Sequence, residues 1–223
     1  MCTFLTIETA SKNCSVAVFK KNHLVAYKED VDENFSHAEK LTLFIQDVLL
    51  QSNIEFSCLS AIGIGQGPGS YTGLRIGTSV AKGLSYSLEI PLISVSTLQA
   101  MAFMISQNHK ADLYCPMIDA RRMEVYSAFY NINNQEVRGI QADIIDSKSY
   151  KDFLQKKVLF FGDGSAKYKK VVNHQNASFL DGIFPSATAM GTFVSEAYIQ
   201  KKFEDVAYFE PFYLKDFVAG KKS

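Results

Sequence analysis

Thiols are scarce in this sequence of 223 residues, which has only Cys2, Cys14, Cys58 and Cys115. None forms a C-x-x-C pair, which excludes a zinc knuckle or a thioredoxin-type dithiol and leaves reduced, mostly buried small hydrophobes. Histidine is as sparse. His23, His37, His109 and His174 include no pair three or four residues apart, so no helix offers two imidazoles to one metal ion. An excess of one charge is absent too: lysine plus arginine and aspartate plus glutamate both number 23, so no overall field draws the chain onto nucleic acid. The lysine pairs at 156–157, 169–170, 201–202 and 221–222 read as solvated faces. No apolar run approaches the ~18 residues of a membrane span, and residues 1–8 lack a basic segment followed by an apolar one. The expectation is a cytoplasmic protein without membrane contact. No P-loop of the form G-x-x-x-x-G-K-S/T, no G-x-G-x-x-G and no local Ser/His/Asp motif can be aligned.

What the sequence does have is a dense glycine stretch, Gly63 to Gly77, between an apolar run at 59–64 and a segment of helical spacing. Gly67-Pro68-Gly69-Ser70 reads as a sharp turn: proline fixes φ, the glycines tolerate positive φ, and Ser70 can cap the following helix. Two readings stay open. The turn either lets a helix pack closely or presents N–H groups and a helix end to an anion.

In order, strands are expected at 3–9, 14–19 and 24–27, then a helix from a Ser36/Glu39 capping box. Its core face is Leu41, Phe44, Ile45, Val48 and Leu49, with Leu43 and Leu50 left on the other side. A buried strand at 59–65 leads through the glycine turn into a helix at 70–88, where Gly73, Gly77 and Gly83 each cost about 1 kcal/mol of propensity. Gly73, Gly77 and Ala81 form a smooth stripe for close approach, Ile76, Val80 and Leu84 lie beside it, and Tyr71, Leu74, Arg75, Thr78 and Lys82 point elsewhere. A strand at 92–95 and a helix to 107 complete the first half. The second repeats the pattern with strands at 113–118, 123–131 and 136–140, a helix at 147–155, a strand at 158–161, a turn at Gly162-Asp163-Gly164-Ser165 and a helix at 187–201. The division is 1–107 and 108–223, the last helical segment packing back on the first half.

Three smaller features invite chemistry. Glu8-Thr9 ends the first strand, where a carboxylate can hold a metal-bound water or simply face solvent. His37 starts the first long helix, but Leu41 stands where a second ligand belongs, so it reads as a surface or interface histidine. Asp119-Ala120-Arg121-Arg122, with Glu124, reads as a hairpin carrying a cross-strand ion network, with anion contact by Arg121 as the minority option.

The runs from Gly67 through Ser70-Tyr71-Thr72-Gly73-Leu74-Arg75-Ile76-Gly77, with Lys82-Gly83-Leu84, Val95-Ser96-Thr97-Leu98, Asp119 to Arg122 with Glu124-Val125-Tyr126, and Gly162-Asp163-Gly164, resemble the signature of the TsaB (YeaZ) family. The resemblance implies an α/β, actin-like (ASKHA) fold of two RNase H-like halves, each a mixed sheet flanked by helices. It implies a non-catalytic subunit required for the threonylcarbamoyladenosine modification of tRNA beside the anticodon. Such a subunit binds and activates a TsaD-like transferase, works with a TsaE-like ATPase, reaches tRNA through the complex, and forms a homodimer when alone. The two long helices are the implied contact, through His37, Lys40, Leu43, Asp47, Leu50, Tyr71, Leu74, Arg75, Thr78 and Lys82, with Gly67, Pro68, Gly69 and Ser70 as the structural turn. No catalytic, cofactor-binding or metal residue is expected of this chain alone, ATP or ADP being placed at most at the interface of the complex. The rival readings are an actin-fold nucleotide phosphotransferase or ATPase using Glu8, Gly67 to Ser70 and Gly162 to Gly164, and a glycoprotease-type metallopeptidase.

Overall fold

The computed structural model describes residues 2–32 and 37–215. Two sheets organise it. The first is built from β1 (Thr3–Glu8), β2 (Asn13–Lys20), β3 (His23–Val31), β4 (Ala61–Gly65) and β5 (Leu92–Val95), in the order β3-β2-β1-β4-β5. The second uses β6 (Leu113–Asp119), β7 (Glu124–Tyr130), β8 (Glu136–Ile144), β9 (Val158–Phe161) and β10 (Ala177–Leu180), in the order β10-β9-β6-β7-β8. Adding five to each strand number of the first sheet gives the second, and the pairings match: β1 and β6 are each antiparallel to the next strand and parallel to the fourth of their lobe. The duplication expected from the sequence is thus present as one topology used twice.

Strand alternation sets the layers. From β1, Leu5 and Ile7 point into a core shared with α1 (His37–Ser52) and α2 (Tyr71–Leu88), while Phe4 points the other way, into a core shared with α5 (Gly191–Ile199). β1 is therefore buried on both faces, as a central strand flanked by helices must be. The helix α3 (Thr97–Ser106) lies between the sheets, giving Ala100 to the second of these cores and Leu98, Met101 and Ile105 to a third with Tyr114 and Phe161. The far face of the second sheet is closed by an aromatic cluster in which Phe129 stacks on Phe153 at 3.9 Å and Tyr168, in α4 (Ser165–Lys169), packs on Phe160 at 5.0 Å.

Several elements differ from their expected shape. The helix expected at 147–155 is one 3-10 turn, Phe153–Gln155, because Tyr150 takes a left-handed conformation at φ 61 to place its ring in that cluster. The helix expected at 187–201 is a 3-10 turn at Ala187–Ala189 followed by α5. β3 and β8 run past their expected ends, and α4 and β10 have no counterpart among the expected elements. The Ser36 cap lies outside the described residues. α5 lies against the first sheet, where Gly191 abuts the Phe19 ring and Val194 meets Gly63.

Candidate functional site

The glycine turn is fastened on every side. Gly67 takes φ 97 and donates its N–H to Thr97 Oγ1 at 3.1 Å, the Ser70 N–H donates to the Ala10 carbonyl at 2.7 Å, and Ser70 Oγ caps Gly73 at 3.3 Å. A Cβ on Gly69 would stand 2.1 Å from the Ala10 oxygen. Close packing, rather than an anion cradle, is what this turn is built for: the Gly67 and Ser70 N–H groups are spent on the protein itself. The stripe behind it lies on the end of β1, where added Cβ atoms at Gly73 and Gly77 would each come within 2.2 Å of Thr9 oxygens.

Glu8 is turned inward. It is buried, its carboxylate accepts from the Ala10 N–H at 2.8 Å and from Thr97 Oγ1 at 2.9 Å, and Gly65 has no room for a Cβ beside it. Burial pushes its pKa up, and the hydrogen bonds from Ala10, Thr97 and Thr9 only partly offset this. The two carboxylate oxygens tie the end of β1 to the start of α3. Among the described residues no three His, Cys, Asp or Glu gather to hold a metal ion, and no helix is long and apolar enough to cross a membrane.

The two long helices share one core and present their outer sides to solvent. On α1, Leu43 and Leu50 are 57% and 82% exposed. Lys40 is held in its charged form by Asp30 and Asp32, at 2.6 and 2.8 Å, and Asp47 pairs with Lys28, so both of these charges are answered within the chain. His37 corrects the expectation of a surface histidine. It is buried, with Nε2 donating to the Ser11 carbonyl at 2.7 Å, and burial lowers its pKa.

On α2 the expected contact face is largely covered. Leu74 and Thr78 are buried, at 1% and 6% exposure. The reason is the chain's own C-terminal segment. Ala207 and Phe209 carbonyls accept from Lys82 Nζ, Phe212 N–H bonds Gln66 O, and Tyr213 packs on Tyr71 at 4.9 Å, so residues 207–213 run along the Tyr71–Leu74–Thr78–Lys82 side. Only Arg75 of that set stays exposed, lying over the Tyr71 ring. The open stripe is Thr72, Arg75, Ser79, Gly83 and Tyr86, turned roughly 80° from the expected one at 100° per residue. Gly83 and Tyr86 are absent from the expected contact set. Among the described residues nothing lies within 4 Å of a Cβ on Gly83, so no contact there calls for a glycine, and that is the signal the sequence offers.

A cavity of 780 Å³ opens between the lobes, lined by Ser11, Lys12, Ser70 and Tyr71 from the first, Asp119 to Arg122, Glu124, Tyr126 and Asp163 from the second, and Phe212 to Lys215. The expected cross-strand ion network is replaced by partners from outside the hairpin. Lys167 takes Asp119 at 2.7 Å and Lys215 takes Glu124. Asp163 accepts the Asp119 N–H at 2.9 Å, and its pKa is raised chiefly by burial.

Two lobes of one repeated topology, joined through an intervening helix and enclosing a cleft, define an actin-like fold. A family model described as "TsaD: tRNA N6-adenosine threonylcarbamoyltransferase" matches residues 34–222. The tRNA threonylcarbamoyladenosine biosynthesis protein TsaB of Escherichia coli K12 is 30% identical over 98% of this chain and 96% of its own. The protein of the same name from Haemophilus influenzae is 29% identical over 99% and 96%. A solved structure of YeaZ from Pseudomonas aeruginosa shares the fold with a TM-score of 0.79, at 24% identity, covering 96% of this chain and 100% of that one. The chain belongs to the TsaB family of tRNA threonylcarbamoyladenosine biosynthesis proteins.

Proposed function

We propose that within this biosynthesis the chain is a non-catalytic subunit that docks on a TsaD-like transferase through the outer sides of α1 and α2 and activates it. A TsaE-like ATPase completes the complex, tRNA is reached mainly through the partners, a second copy takes the same surface when the chain is alone, and the setting is the cytoplasm. The chain by itself uses no cofactor for chemistry, and ATP or ADP as a reactant has a place only at the interface of the complex. The reading is carried by the outer sides of the two helices: Leu43 and Leu50 of α1 are exposed, and among the described residues nothing lies within 4 Å of a Cβ on Gly83 of α2. The inward-turned Glu8 supports the non-catalytic part, since the carboxylate ending β1 is occupied by hydrogen bonds of the fold. Reconstitution of tRNA modification with and without the chain tests the role. Activity should collapse on omission and return on addition, and undiminished modification without the chain would sink the proposal. Parent and Leu43→Glu proteins compared by calorimetry against the transferase subunit test the surface, which is wrong if both bind alike.

A further inference from the structure

A second cavity, of 620 Å³, opens at the carboxyl end of α2, between the last turn of that helix and the segment that follows α5. It falls within the about 300–1,000 Å³ of small-molecule sites. Its backbone donors are spent: the Glu89 N–H folds back onto the Ser85 and Tyr86 carbonyls, and the Ile90 N–H reaches the Ser85 carbonyl at 3.1 Å. Acceptors remain. Pro91 stands four residues after Ser87 and has no N–H to close the last helical turn onto the Ser87 carbonyl. Ser85, 1% exposed, lines the cavity, and its Oγ has no hydrogen-bond partner among the described residues. Glu89 ends the helix in a left-handed conformation at φ 55, is exposed, and its carboxylate has no hydrogen-bond or ion-pair partner among them. The negative charge here is unanswered. The carboxyl end of the 18-residue helix carries the negative pole of its dipole, and no basic residue stands in its last turn. Lys82, the last basic residue of α2, spends its ammonium on the Ala207 and Phe209 carbonyls, and Lys201 and Lys202 form no ion pair with Glu89. Two rings complete the lining, Tyr86 and Phe203, 80% and 43% exposed.

We infer that this cavity binds a guanidinium group, its fork on the Glu89 carboxylate, its remaining N–H groups on the Ser87 carbonyl and Ser85 Oγ, and its plane against the Tyr86 and Phe203 rings. Donors fixed in one plane match a lining of acceptors, and a guanidinium stacks on aromatic faces as a compact ammonium does not. The same lining repels an anion. The group has two sources, a free alkylguanidine or an arginine side chain of another protein.

The test titrates the full chain and follows its backbone amides by NMR, with agmatine for the free source, a short end-blocked peptide carrying one arginine for the side chain, and butylurea as a neutral control. Saturable binding of at least one guanidinium probe is expected, with the shifts centred on Ser85 to Ile90, and the tighter binder identifies the source. Butylurea should not bind. Glu89→Gln should bind at least tenfold more weakly, as the loss of a hydrogen bond between charged groups requires. Glu89→Gly suits the left-handed position better, so it should melt no lower than the parent while also losing binding, which separates the site from the fold. Ser85→Ala removes a buried hydroxyl without a partner and should likewise melt no lower while binding several-fold more weakly. Equal binding by parent and Glu89→Gln, equal binding of butylurea and agmatine, shifts centred away from Ser85 to Ile90, or no binding of either guanidinium probe at tens of millimolar would overturn the inference. Every titration uses this chain alone, so failure here leaves the docking reading intact.

Discussion

The His37 ring and the backbone of Gly73 touch across the α1–α2 contact, so closely that a Cβ on Gly73 would lie 3.2 Å from His37 Cδ2 and 2.2 Å from the Thr9 carbonyl oxygen. The imidazole can shift a little, but the Thr9 oxygen belongs to the backbone and cannot. Gly73→Ala should therefore cost about 3 kcal/mol by overpacking. Gly83→Ala, on the open side of the same helix, should add about 1 kcal/mol of helix propensity while weakening partner binding. Urea unfolding of both variants checks the opposed signs.

Leucines on the two helices should part in the same way. Leu43→Glu and Leu50→Glu alter exposed positions and should leave stability within about 0.5 kcal/mol while lowering partner affinity at least tenfold. Leu74→Glu puts a charge into a site 1% exposed, against Gly67, and should unfold the first lobe. Circular dichroism melts alongside calorimetric binding separate the two outcomes.

His37 should make the fold sensitive to mild acid. Burial holds its pKa below the ordinary 6.5, so the unfolded chain takes up the proton first. Its contribution to stability is full above about pH 6.5 and is lost as pH falls from there through the lower folded value. The melting temperature of the parent should drop between pH 7.5 and 5.5 more than that of His37→Gln. Equal drops would place the acid sensitivity elsewhere.

Glu8 has the opposite sign. With its pKa raised above 4.5 by burial, its contribution is complete at low pH and is lost as pH rises through the folded value. Thermal melts of Glu8→Gln against the parent from pH 5 to 8.5 should show the gap moving in favour of the variant as pH increases. In reconstituted tRNA modification the same variant should remain active. Loss of turnover with an intact fold would return Glu8 to a catalytic role.

The layered fold is largely legible in the sequence because its signals are local. Apolar faces on α1, the unbroken burial of β1 and the serine cap of α2 all follow from residue type and spacing. The short pieces of the second lobe are not. Tyr150 breaks a helical stretch for the sake of a ring cluster assembled from Phe129, Phe160 and Tyr168, and no local pattern carries that. The site is less legible for the same reason. His37 and Leu74 look free on their own helices and are covered by segments distant in the chain, the Ser11 carbonyl in one case and the stretch from Ala207 to Tyr213 in the other.

By itself, then, the sequence determined the strand–helix order of the first lobe, the duplication of its three-strand start, the sharp turn at Gly67 to Ser70 and the family, since backbone preference, hydrophobic period and motif all act within a few residues. Tertiary structure alone decided which face of α2 remains open and that Glu8 is turned into the protein. Each of these depends on what packs against the residue from far along the chain, and burial, unlike propensity, is a property of the whole fold.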